Sequence, residues 1–172
     1  KEKLVYFGRN INKKGYISEI KSFLSELIQY GADEEMILNM IEASAKKPVL
    51  EQKLKDIYTA YKVFTGYIKD NYITSEEILS VLSEVVPQSE ILKNSVICLD
   101  GFTGFTPLQY KLINELMNVA DEVFVTVTID KGQNIWKRGA KHQLFYMSQN
   151  MIYHLRKIAE ENSVEICPEI WT

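Results

Sequence analysis

Cysteine is scarce. The two in 172 residues, Cys98 and Cys167, are too few and too far apart for a disulfide framework, and no CxxC or Cys/His spacing accompanies them. Both sit inside apolar, strand-like runs, which predicts two reduced, buried thiols in a cytosolic (cytoplasmic) protein. Long apolar runs are also missing. None approaches the roughly 18 residues of a membrane span, and no secretory leader pattern is present. A surplus of positive charge is missing too. Twenty Lys and Arg stand against 23 Asp and Glu, a net charge of -3. A freestanding nucleic-acid-binding domain is usually basic, so bulk charge lends DNA binding no support. It leaves room only for a local basic patch or an incomplete surface. No repeat and no low-complexity segment occurs, and no GxxxxGK[ST] phosphate loop appears anywhere. The sequence opens on Lys1 rather than Met and stops at "EICPEIWT", which suggests a piece of a longer protein.

What is present is a chain that is 46% hydrophobic and 25% charged, enough for one core or two small subdomains. Residues 1–93 read as a helical subdomain. "GYISEIKSFLSELIQYG" places Ile20, Phe23, Leu24, Leu27 and Ile28 on one helical face and ends at Gly31. "ADEEMILNMIEAS" carries acids in its first turn, where the helix dipole favours them. After Pro48, Leu50, Leu54, Ile57, Tyr61, Phe64 and Ile68 recur every three or four residues along the longest helix. This stripe suits a helix–helix core better than a ligand groove. "TSEEILSVLSEVVP" opens on Thr74 with Glu77 three residues on, a capping-box pattern, and Pro87 stops it.

Residues 94–172 change period. "SVICLD" is a short apolar run without alternation, the signature of a strand covered on both faces of a parallel sheet. A helix follows from Pro107, then a second strand in "EVFVTVTID", a polar loop, a long helix from Gln143 to Asn162, and a third strand in "SVEICPEI". Strand–helix–strand–helix–strand implies an α/β fold with parallel strands and crossover helices. Ligands meet such sheets at the carboxyl ends of the strands, where Asp100 and Asp130 lie.

An aspartate ending a buried strand is where a Mg²⁺-organising acid sits in nucleotide hydrolases. Asp100 qualifies by position, but the neighbouring acid or water-positioning residue is replaced by Gly101 and the phosphate loop is absent. The plainer reading is an aspartate capping the turn after its strand. Asp130 is the second strand-end acid, followed by Gln133, a residue able to sense phosphate or contact DNA or simply to occupy a loop. Phe102 and Phe105 flank Gly104, and they either tuck under the helical half or offer a stacking face to bases. Lys131, Lys137, Arg138, Lys141 and His142 surround Trp136, a pattern open both to nucleic-acid binding and to an ordinary solvated loop. His154 has no metal-ligand partner one turn away and reads as structural.

These residues carry a family resemblance. "VICLDGFTGFTPLQYKLINELM" resembles motif II of superfamily 1 helicases, in which a strand ends in Asp-Glu-Phe and a Gln-aromatic pair follows. Asp100 matches the Asp, Phe102 the Phe, and Gln109-Tyr110 the pair, while Gly101 replaces the catalytic Glu. Asp130 and Gln133 loosely match motif III. The Asp-Gly-Phe-x-x-Phe-Thr-Pro form is similar to the B subunit of AddAB helicase–nucleases, the AddB and RexB family, and the helical half resembles the insertion preceding that motif. The resemblance implies a helical insertion and part of a RecA-like domain. It implies a place in an enzyme that processes double-strand DNA breaks for recombinational repair. In that enzyme an inactivated helicase-like region scans single-stranded DNA for Chi and pairs with the AddA motor subunit in a heterodimer.

The degenerate motif II, Asp100 and Gly101, would then be non-catalytic. Phe102, Thr103, Gln133, Trp136 and Arg138 become the DNA-binding candidates, and Phe105 stays in the core. Mg²⁺, ATP and a 4Fe–4S cluster would be held by residues outside this segment. Two other readings remain: a module docking the motor subunit, and a stand-alone phosphohydrolase using Asp100, which the missing phosphate loop and Gly101 oppose.

Overall fold

The structure is a computed structural model. It describes residues 4–8, 13–69 and 75–171. Packing divides the chain into two compact units, Lys1–Ile78 and Leu79–Thr172. The divide falls inside a helix, upstream of residue 93 where the apolar period changes.

The first unit is helical. Helix α1 (Lys14–Gln29) ends in a Schellman motif: Ala32 N–H bonds Leu27 O (2.8 Å) and Gly31 N–H bonds Ile28 O (2.9 Å), with Gly31 at φ +67°. That positive φ is the reason a glycine terminates this helix. Helix α2 (Glu34–Ala43) is capped by Asp33, whose carboxylate accepts from Met36 N–H at 2.8 Å. Helix α3 (Pro48–Lys69) starts on its proline, which lacks the N–H that a first turn leaves unpaired. Its stripe buries Leu54 and Ile68 and half-buries Ile57, Tyr61 and Phe64, while Leu50 at its start stays exposed. The Tyr61 hydroxyl donates to Ala32 O (3.1 Å), joining α3 to the turn before α2. The aromatic stripe is thus a helix-packing seam.

Asp56 is the polar centre of this unit. It is 1% exposed, and its carboxylate accepts from the consecutive backbone N–H groups of Val5 (3.1 Å), Tyr6 (2.7 Å) and Phe7 (2.8 Å) and from Gln52 Nε2 (3.2 Å). A buried carboxylate is tolerable only with such donors.

Helix α4 (Ser75–Val85) follows and runs into a 3₁₀ turn, Val86–Gln88, that holds Pro87. The capping pair read from Thr74 and Glu77 lies outside the described residues, Thr74 in its backbone and Glu77 in its side chain.

The second unit holds β1 (Val96–Leu99), α5 (Pro107–Val119), β2 (Glu122–Val125) and α6 (Tyr146–Glu161). The strands pair in parallel, Val96 with Glu122 through Leu99 with Val125, and α5 is the crossover between them. Ile113, Met151 and Leu155 form the buried core, with Leu99, Phe105, Tyr110, Met117, Val125 and Val127 packed on it.

The unit is mixed α/β, as the sequence implies, with three corrections. Among the described residues the sheet has two strands, not three. The "SVEICPEI" segment finds no ladder partner among the described residues, and its main-chain bonds are Ser163 N–H to Glu160 O and Val164 N–H to Ala159 O, back onto α6. The second strand stops at Val125 rather than reaching Asp130. A parallel ladder lasts only as long as both strands, and β1 gives out at Leu99, whose carbonyl makes one last bond to Thr126 N–H (3.0 Å). The strands are also covered on one face, not two. Their residues alternate exposed and half-buried, with Val96 and Phe124 open to solvent and Leu99 and Val125 on the core. The cysteines follow suit: Cys98 and Cys167 are free and exposed rather than buried, Cys98 because it lies on the uncovered face.

Candidate functional site: the carboxyl edge of the parallel pair

The candidate residues fall into two groups in the second unit. The first is the end of β1. Asp100 is exposed, and its Oδ1 accepts a hydrogen bond from the Thr126 hydroxyl, just past β2. Gly101 N–H reaches back to Thr126 Oγ1 at 3.4 Å. One threonine hydroxyl therefore ties together Asp100 and Gly101. Thr126 escaped the sequence reading because its role is set by strand pairing across 26 positions.

Gly101 has φ +77°, and open space surrounds the position a Cβ would take. A glutamate here would meet no steric wall, but its backbone would sit in the left-handed region that residues with a Cβ disfavour by roughly 1–2 kcal/mol. The glycine both lacks the acid and adopts a backbone that suits the acid poorly.

Phe102 and Thr103 follow, both exposed. Phe102 is 39% exposed, and one side of its ring meets Phe105 (centroids 4.9 Å, tilted). Phe105 packs edge-on against Tyr110 at 5.6 Å and onto the core cluster, as the sequence reading placed it. The turn therefore buries one phenylalanine and presents the other. Burial raises the pKa of the Tyr110 phenol, against the lowering effect of a hydrogen bond to the Phe105 backbone. Tyr110 also touches His154 (5.4 Å, tilted). The His154 pKa is lowered, first by burial and then by the charges of Arg138 and Lys157. Thr106 caps α5 in a full capping box, donating its N–H to Gln109 Oε1 (2.8 Å) and accepting from Gln109 N–H (3.4 Å). Gln109 is thus engaged in holding the helix start.

The second group is the loop after β2. Asp130 closes a turn, its Oδ1 accepting from Gly132 N–H at 3.3 Å, and Gln133 N–H bonds Asp130 O at 3.0 Å. Helix α6 pins the loop at three points. Gln149 Nε2 donates to Asn134 O (2.6 Å), Arg138 Nε donates to Asn150 Oδ1 (2.9 Å), and the Arg156 guanidinium lies over the Trp136 ring. A Cβ at Gly139 would come within 2.4 Å of Gln149 Oε1, so that side chain would have to shift to admit one. Trp136 remains 63% exposed. Lys131, Gln133 and Trp136 line an open hollow of about 550 Å³ together with Glu169 and Trp171. Asp100, Phe102 and Thr103 are not part of its lining. The sequence reading missed Glu169 and Trp171, which lie more than 30 positions away, the first inside a segment read as strand and the second just past it.

Asp100 has one oxygen engaged by Thr126, no acid adjoins it, and the chain holds no phosphate loop. The two cysteines, Cys98 and Cys167, are free, exposed and far apart in the sequence. Among the described residues no three His, Cys, Asp or Glu side chains converge on a metal-sized space, and no helix is long and apolar enough to cross a membrane.

The fold and this edge define a mixed α/β protein with an aspartate just past the end of its first strand. A family model described as "ADDB, N-terminal" matches residues 1–172, and the chain belongs to that family. It is 45% identical over 167 residues to the B subunit of the ATP-dependent helicase/deoxyribonuclease of Lachnoclostridium phytofermentans, covering 97% of this chain and 14% of that protein. The corresponding B subunits of Clostridioides difficile and Bacillus subtilis are 30% and 28% identical, over 98% and 96% of this chain. The chain spans 14–15% of the length of these relatives.

Proposed function

We propose that this chain forms the N-terminal, superfamily 1 helicase-like part of the B subunit of a cytoplasmic helicase–nuclease that processes double-strand DNA breaks for recombinational repair. In this reading it is a helical insertion joined to part of a RecA-like domain. It scans single-stranded DNA, Chi included, and scaffolds the complex with the AddA motor without catalysing a step itself. ATP, Mg²⁺ and a 4Fe–4S cluster belong to other parts of the enzyme.

The observation that carries the reading is the strand end. Asp100 is held by Thr126, Gly101 replaces the acid in a left-handed backbone, and Phe102 beside them is exposed. The scaffold of a nucleotide-hydrolysing edge is kept, its chemistry is gone, and an aromatic face is turned outward where such sheets meet their ligands. The relatives' shared name, which makes each the B subunit of a helicase/deoxyribonuclease, supports the same placement.

A docking role for the helical unit is compatible with this. Met36 and Met40, one turn apart on α2, are 49% and 40% exposed, as suits an adaptable apolar contact.

The test is Phe102→Ala in the intact two-subunit enzyme. Expected is a loss of the response to Chi and weaker single-strand binding, with ATP hydrolysis unchanged. ATP hydrolysis by the isolated B subunit that disappears in Asp100→Ala would overturn the reading.

A further inference from the structure

We infer that the hollow beside Trp136 receives one unstacked base of a single nucleic-acid strand, a contact separate from the Phe102 edge. The inference rests on the reading of this unit as a single-strand surface and assigns it a second element.

Its volume, about 550 Å³, falls within the roughly 300–1,000 Å³ of sites that take small organic ligands. Two tryptophans line it, Trp136 and Trp171, 63% and 40% exposed. Indole rings left this open are costly in water unless they have a use. Arg156 covers one face of Trp136, so the ring is fixed in place and made electron-poorer, which favours stacking of a neutral base on what remains uncovered. Ile135, 9% exposed, supplies an apolar floor, and Gln133 supplies both a donor and an acceptor for a base edge.

The charges decide which part of a nucleotide enters. Glu169 lines the hollow and repels phosphate, while its oxygens accept from base amino and imino groups. Lys131 lines it as well, and Lys137, Arg138, Lys141 and His142 follow on the same loop. A base thus lies in the hollow while the backbone runs along the cationic loop. The loop is braced for this by Gln149 and Asn150 of α6, which fix Asn134 and Arg138.

The test uses the intact B chain and a labelled oligodeoxyadenylate, alone and with a single abasic position moved along it. Trp136→Ala should weaken binding roughly five- to a hundredfold, the range that loss of one base–aromatic stack produces, and Trp136→Phe should recover much of it. Trp171→Ala, which removes a side chain outside the core, should weaken binding in the same sense. The abasic oligonucleotide should bind the native protein more weakly at one position and bind Trp136→Ala no more weakly than the intact strand does. Lys131→Gln should lower the salt slope of binding by about one. Native affinity in both tryptophan variants, or a full abasic penalty retained in Trp136→Ala, overturns the inference. If Phe102→Ala still weakens binding in that event, the strand-edge reading stands without the hollow. If neither site affects binding, both fail.

Discussion

The two units are held together by opposite means. In the first, a buried carboxylate gathers a stretch of main chain: Asp56 on α3 binds three successive N–H groups of residues 5–7. In the second, the centre is apolar, with Met151 fully buried between Ile113 and Leu155. The polar centre depends on geometry and fails abruptly when one group is removed. The apolar one depends on volume and fails by degrees. The unit built on volume is also the one that carries the candidate site, on loops and turns around its strand ends. This is the usual division between a packed scaffold and the segments it positions.

The sharpest way to break this contrast is Asp56→Ala. It removes the acceptor of three part-buried main-chain donors at once and should cost about 4 kcal/mol, read as a lowered denaturation midpoint with hydrogen-exchange protection lost in residues 13–69. Asp56→Asn keeps an acceptor and should cost less. If Asp56→Ala proved nearly neutral, the polar centre would be dispensable and the contrast would collapse. Met151→Ala should cost about 3 kcal/mol through lost burial and the cavity left behind, with protection lost in α5 and α6. Met151→Leu, which conserves volume, should recover most of that.

The smallest effect is in pH. The His154 pKa is lowered in the folded chain by burial, then by Arg138 and Lys157. Its folded value lies below the unfolded value of about 6.5, so the unfolded state binds the extra proton. The contribution is complete above that pH and is lost as pH falls through it toward the folded value. The urea midpoint of the native chain should therefore dip between neutral and mildly acidic pH, and His154→Gln should flatten that part of the curve.

What the sequence made legible was local. The stripes of α1 and α3, the stop at Gly31, the start at Pro107 and the strand end at Asp100 all follow from spacing over a few residues. Phe105 in the core was readable because a Gly/Thr turn has little else to bury. What stayed hidden depended on partners distant in the chain. Thr126 meets Asp100 only through strand register, Asp56 meets residues some 50 positions earlier, and Trp171 joins Trp136 only in the folded loop. The strand errors have the same root. Residue type favours extended backbone at 126–130 and 164–170, but a ladder also needs a neighbour of matching length. The capping box at Thr106 and Gln109 was readable in the letters themselves, yet Gln109 drew notice only as part of a helicase motif.

The left-handed backbone at Gly101 restricts which side chains this edge can take. An acid placed here would land on a main chain whose dihedral angle it does not favour and beside an aspartate that already accepts from Thr126. Accommodating it would call for the turn to be rebuilt together with the residue. The turn and its glycine thus change together or not at all.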